Sequence, residues 1–413
     1  MRYFFVLVSC RGWLAVLALA CAAAAQHPVA KTGVKSPFGQ LSFRPADALN
    51  HAAFQHFYDM EYESSILEFS QILERHPADP DAINHLITAV LFRELYRVGA
   101  LNAGEYTNDS FISAAHRPAD KRACDQIKAL VARALSVEED RLKKNAKDTA
   151  ALYARGVTKA EYATYIALIE HAWFSALRNA VAARRDHEKV LELDPANVDA
   201  KLVVGTHNYV VGSLPWGVKA ASSMIGLGGS KEKGIEYLKQ AAAGNTEVSV
   251  DAKIVLVVFL RREKRLDESL EILKSLVPEF PHNILFAVEE GNLLRAKGQN
   301  AGAEAVYRRV WQEGHAGKFA ALHYEIAATA LGDLLRSEKS YAEAAAAYEQ
   351  VATVQNPDPE TAQKAELGAG EMYDLMHNRD LAVKRYEAVV ALDARTALAE
   401  TARKRLKEPY RGT

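Results

Sequence analysis

Three arginines fall at matching places along this chain, and their type and spacing point to chemistry. Arg261, Arg295 and Arg336 lie 34 and 41 residues apart. Each stands late in an apolar-periodic segment of helical spacing. Arg262 adjoins the first, and Asn292 lies one turn before the second. A planar guanidinium donates two parallel hydrogen bonds to a carboxylate. A ladder of them on one face would clamp a peptide carboxylate or acidic side chains. A plainer reading stands beside it, because a cation in the last turn of a helix complements the helix dipole.

Other constellations carry less. The turn from Gly226 to Gly234 is rich in glycine, but it lacks the spacing of a phosphate loop and any preceding strand. It reads as a connection between helices. Pro215, Trp216, Met224 and Ile225 form a candidate apolar knob for a membrane or partner, or a wedge packed inside the helices. The 13 histidines are scattered. His51 and His56, like His315 and His323, miss the spacing of metal-binding pairs. No nucleophile elbow or Cys/His pairing stands out. The sequence therefore points to no catalytic residue, metal or cofactor, and the expectation is a protein without enzymatic activity. An enzyme centred on Tyr153, Tyr162, Tyr165, Trp173 and Phe174 is the remaining alternative. Those aromatics read first as core.

Composition narrows the partners. Lys and Arg number 51 against 52 Asp and Glu, so no global field steers the chain toward nucleic acid or an anionic membrane. Residues 1–25 read as a signal peptide, with Arg2 and Arg11 ahead of the apolar run from Trp13 to Ala20 and a small-residue site at Ala23–Ala25. The expected destination is the periplasm. Leu17–Cys21 also resembles a lipoprotein box, and lipidation at Cys21 would anchor the protein to the outer membrane. Contact with a membrane is expected only in that case. Cys124 is then the single ordinary thiol, so helix packing must supply the stability.

The elements that position these residues are helical hairpins. Residues 26–44 read as a flexible tether, rich in Pro and Gly. From 45 to 407, apolar residues three and four apart mark paired helices. Asp81 is the expected N-cap of one of them. The stretch from Ala183 to Ala200 sets the phase, with Ala183, Val190 and the stop at Pro195. His187 stands between the first two where an aromatic is usual. Units are long and irregular to about 245, with a polar insertion at Ala100–Arg117 and a break at Gly212–Ser230. Regular repeats run from about 250 to 393. Their marks Ser269, Ala303, Ala344 and Ala382 lie 34, 41 and 38 residues apart. Gly291, Gly332 and Gly370 occupy the close-contact point of the first helices. Thr396–Lys407 is a polar capping helix, and 408–413 a tail.

This pattern resembles the tetratricopeptide-repeat (TPR) superfamily from Ala46 to Lys407. The resemblance implies an all-α solenoid of stacked antiparallel hairpins in a right-handed superhelix, with the first helices lining a concave groove. A narrower likeness covers Gly205–Ala242. Its Gly205-Thr-His-Asn-Tyr run, Ser213-Leu-Pro segment and Gly226-Leu-Gly-Gly turn look like those of exported bacterial TPR proteins. They are more distantly similar to the inclusion-body-clearance (tetratricopeptide-repeat 39) family. Ser230-Lys231 stands where an Asp-Arg or similar pair is common there. The resemblance implies a scaffold for protein or peptide partners.

Overall fold

The computed structural model describes residues 43–101, 118–214, 219, 228–319 and 322–412. The expected signal peptide, most of the expected tether, most of the 100–117 insertion and the candidate apolar knob at 215, 216, 224 and 225 lie outside the described residues. Among the described residues there are 17 α-helices and no strand. They divide into two compact units that meet in sequence at Phe280–Pro281.

The first unit holds five hairpins. They are α1 (Asn50–Tyr58) with α2 (Tyr62–Arg75), α3 (Pro80–Val98) with α4 (Lys121–Lys144), and α5 (Thr149–Leu168) with α6 (Trp173–Leu193). The fourth is α7 (Ala200–Gly212) with α8 (Lys231–Ala243), and the fifth is α9 (Val248–Arg262) with α10 (Leu266–Leu276). Within this unit, the second helices of the first four hairpins also pack on the first helix of the next hairpin. The expected cap at Asp81 moves two residues. Asp79 is the N-cap, accepting from the amides of Asp81 and Ala82, and Pro80 takes the first helical position. There its missing N–H costs nothing, and Asp81 is left inside the helix, buried.

Two first helices of this unit, α3 and α7, are enclosed along most of their length rather than amphipathic. Every residue of α3 from Pro80 to Leu91 is buried, as is α7 from Leu202 to Val211. Such helices need packing on all sides. The first hairpin supplies part of it by meeting α9, some 190 residues away: the Tyr58 hydroxyl donates to Asp251 Oδ1 at 2.9 Å. Phe43 and Arg44, the last residues of the expected tether, join this closure. Phe43 is buried and stacks on Phe54 at 4.8 Å, and the Arg44 amide donates to Glu247 Oε2 at 3.3 Å. In the third hairpin, Tyr153 and Tyr165 are buried as core, but Phe174 is 74% exposed. Its position in the first turn of α6 lies where no described helix covers it, which corrects its assignment to the aromatic centre.

The second unit is regular: α11 (Ile284–Ala296) with α12 (Asn300–His315), α13 (Ile326–Ser337) with α14 (Tyr341–Glu349), and α15 (Pro359–Leu375) with α16 (Arg379–Leu392). The polar α17 (Ala397–Lys407) packs on α16 and α15 as the expected cap, started by the Thr396 side chain. Gly291, Gly332 and Gly370 do one job. A Cβ at each would stand 2.3, 2.5 and 2.6 Å from the rings of Tyr307, Tyr348 and Tyr386. Only glycine lets those rings bury against the first helix, and truncating such a ring costs roughly 3–5 kcal/mol. In the first unit Gly156 faces His187 in the same way, at 2.3 Å. His187 fills the aromatic's place. Burial lowers its pKa to about 4, so it packs as a neutral ring.

Candidate functional site

Two first-helix faces carry the polar side chains that packing alone does not explain. In the first unit, α3, α4 and α5 share a buried network. The Thr158 hydroxyl lies 2.6 Å from Asn84 Oδ1, 2.6 Å from Glu138 Oε1 and 3.1 Å from the Ala154 carbonyl. The Asn84 amide nitrogen donates to that carbonyl at 3.0 Å, which fixes which way the amide points. Thr158 has one hydrogen, and Asn84 Oδ1 has none to offer. The hydroxyl therefore donates to Asn84, and the contact with Glu138 must use a proton on Glu138. Glu138 is a carboxylic acid here. Its burial, first among the causes, raises its pKa to about 8, against the opposing Thr158 contact and the fields of Arg155 and Lys159. The nearby Asp81 carboxyl reinforces the rise.

The same condition spreads through the unit. Glu161 on α5 is in short contact with the Thr88 hydroxyl, and burial holds it well above the carboxylate range. Asp251 and Glu247 on and beside α9 are raised for the same reason. His85 Nε2 meets Glu247 Oε1 at 3.2 Å with both side chains buried. Burial lowers His85 to about 3 while raising Glu247, so the two form a neutral hydrogen-bonded pair rather than an ion pair. The edges of Phe54 and Phe69 close the space around that imidazole. What these groups do chemically is hold protons.

The second unit is organised by charge. Arg336, near the end of α13, pairs with Glu371 of α15 at 2.8 Å, and Arg405 of α17 reaches the same carboxylate at 3.4 Å. Both guanidiniums contact Tyr410. Arg336 Nη2 donates to its hydroxyl at 2.7 Å. The Arg336 and Arg405 guanidinium carbons lie 5.1 and 4.6 Å from the ring centroid, within cation–π range. The Tyr410 amide donates to Asp374 Oδ2 at 2.8 Å, and the Tyr386 hydroxyl donates to the same oxygen.

The residues picked out by spacing thus separate. Arg261 and Arg262 end α9 in the first unit, half-buried. Arg295 and Arg336 belong to the second, where Arg295 donates to the Asp333 carbonyl at 3.2 Å and Arg336 binds Glu371 and Tyr410. Asn292 faces its own hairpin, accepting from the Tyr307 hydroxyl at 2.8 Å and donating to Glu289. Asp333 does the same for Tyr348 at 2.6 Å. Sequence reasoning missed Glu371, Asp374, Arg405 and Tyr410. One signal was there: Asp374 follows Gly370 by four residues, as Arg295 follows Gly291 and Arg336 follows Gly332. The third rung of the second unit's ladder is an acid. Among the described residues no three His, Cys, Asp or Glu side chains gather as metal ligands, and no helix is long and apolar enough to cross a membrane.

No protein-family model matches the sequence, and no curated protein matches it. Solved structures do. The Cut9 chain of the APC/C hetero-tetramer Cut9–Hcn1 is similar at 14% identity over 88% of this chain, with a TM-score of 0.45. This chain spans about half of that one, 56% of its length. PilF of Pseudomonas aeruginosa is 16% identical over 60% of this chain and 98% of its own, with a TM-score of 0.35. YrrB, described as a TPR protein with an unusual peptide-binding site, is 16% identical over 65% of this chain and 97% of its own, at 0.28. The chain's own geometry carries the fold: paired helices stacked in sequence order within each unit, each hairpin of the second unit locked by a ring against a glycine. The fold is an all-α, TPR-like solenoid of helical hairpins.

Proposed function

We propose that this protein is a non-catalytic scaffold of the bacterial envelope that grips an extended protein segment along the first-helix face of its second unit. One observation carries the reading. That face already holds a non-helical stretch of polypeptide, residues 408–412, through Tyr410 and its amide. A stacked-hairpin array presents such a face continuously. The export signal read at residues 1–25 supports an envelope location. Lipidation at Cys21 would make the same scaffold an outer-membrane assembly factor, and incorporation of a labelled fatty acid that stops on Cys21→Ser separates the two forms.

The neutral acids of the first unit do not favour catalysis. Glu138 and Glu161 are fully buried, so a substrate would have to part packed helices to reach them. The scaffold reading is tested by photo-crosslinking in envelope fractions, comparing the native chain with one bearing Ala at Arg295 and Arg336. Partner crosslinks should fall while far-UV circular dichroism is unchanged. Undiminished crosslinking to the same partners would remove the arginine face from the binding surface.

A further inference from the structure

Tyr410 is held as a ligand is held, not as a core residue is. It is 6% exposed, whereas Glu408, Pro409, Arg411 and Gly412 on either side are all exposed. A single buried aromatic anchor in an exposed, non-helical strand is how peptide interfaces concentrate their affinity. The groups around it read a tyrosine in particular. Arg336 donates to the hydroxyl at 2.7 Å, and Arg336 and Arg405 flank the ring at 5.1 and 4.6 Å. Asp374 takes the backbone amide at 2.8 Å. Glu371 sits between the two arginines and fixes them by ion pairs at 2.8 and 3.4 Å. Rigid donors aimed at one hydroxyl discriminate strongly against an analogue that lacks it.

We propose that Arg336, Arg405, Glu371 and Asp374 form a tyrosine-reading subsite for an extended peptide, occupied in this structure by the chain's own Tyr410 as a competing internal ligand. The proposal rests on the scaffold reading and names the chemistry of its partner: an unstructured segment presenting one tyrosine with its backbone N–H. A tethered occupant acts at an effective concentration on the order of millimolar. The native chain is therefore closed to partners that bind in the micromolar range, and displacement of residues 408–412 opens it.

The test uses the full chain and a fluorescein-labelled peptide copying residues 408–413, read by fluorescence anisotropy. Tyr410→Ala should bind the peptide at least about tenfold more tightly than the native chain, because the internal competitor is gone. The same peptide with phenylalanine for tyrosine should bind that variant about tenfold more weakly, for want of the charge-assisted bond. Adding Arg336→Ala should abolish both. If Tyr410→Ala does not fold, Tyr410→Phe keeps the ring and should open the site partially. Folded variants that leave the peptide unbound at about 1 mM, or that bind both peptides equally, overturn the proposal and leave Tyr410 as a structural cap. A chain that still crosslinks envelope partners but never takes the tyrosine peptide keeps the scaffold role and loses only this subsite.

Discussion

The two units surround their buried acids in different ways. In the first unit the acids are enclosed on all sides: Glu138, Glu161, Glu247 and Asp251 are each at most 6% exposed. The cost of charging a carboxyl there exceeds what its neighbours return, so the groups keep their protons. In the second unit Glu371 and Asp374 are nearly as buried, at 7% each. They differ in partners: Glu371 meets Arg336 and Arg405, and Asp374 meets Arg379 at 2.9 Å. Each of these two buried acids has a guanidinium beside it.

The largest test of that contrast is pH. The folded pKa of Glu138 is raised from 4.5 to about 8. Its stabilisation is therefore complete below 4.5 and is lost as pH rises through 8. Asp81, raised to about 7, and Asp199, raised to about 6, act in the same direction. The buried histidines oppose them: His85, His187 and His207 fall to about 3, 4 and 3, so their contribution is present above 6.5 and lost as pH falls through those values. The two sets offset each other between roughly pH 4 and 6.5, and only the carboxyl set operates above that range. From pH 6.5 to 8, Glu138 alone should remove about 2 kcal/mol, at about 1.4 kcal/mol per pH unit. Hydrogen exchange, corrected for its intrinsic pH dependence, should show protection falling in α3–α5 and holding in α13–α15. An equal fall in both units would erase the distinction.

A substitution sharpens it. Glu138→Gln supplies an N–H that can donate to Thr158 as the carboxylic acid does, with no proton to lose. It should flatten the fall above pH 6.5 and leave the protein about 1–2 kcal/mol more stable than the native chain at pH 8.5. Should Glu138→Gln be as destabilising there as Glu138→Ala, the hydrogen count at Thr158 is wrong and Glu138 is ionised. In the second unit the matching change has the opposite sign. Glu371→Gln strands two arginines and should cost about 1–2 kcal/mol, with little dependence on pH between 6.5 and 8.5. Denaturant melts at both pH values, paired with hydrogen exchange in α15, measure both the cost and its flatness.

Much of this architecture could be read from the chain. The glycines at 291, 332 and 370 and the tyrosines that bury against them follow from a fixed spacing, and so do most helix bounds. His187 could be placed in the aromatic's position because its neighbours Ala183 and Val190 kept the phase. The two faces were less legible. The closure of α1 onto α9 joins residues about 190 apart, and no periodicity reports it. Glu138 looks like one more charge on the outer face of a Lys- and Glu-rich helix, and only the packing of α3 and α5 shows that it points inward. The arginine ladder was visible as spacing, but its occupant was not, because a lone tyrosine beyond the last helix has no pattern to belong to.

The smallest expected effect separates the rungs of that ladder. Arg295 and Arg336 hold the same position in successive repeats, and both help to end a helix. If helix-dipole complementation were the whole reason for arginine there, removing either should cost the same few tenths of a kcal/mol. Their surroundings differ. Arg295 donates one bond to the Asp333 carbonyl in an exposed setting. Arg336 joins Glu371 and Tyr410 in a half-buried one. Arg295→Ala should therefore change stability by no more than about 0.5 kcal/mol and leave Tyr410 in place. Arg336→Ala should cost about 1–3 kcal/mol and release the tyrosine, seen as a rise in its accessibility to iodination. Equal, small costs with Tyr410 still protected in both variants would return both arginines to the dipole reading, and Tyr410 would then need another reason to be buried.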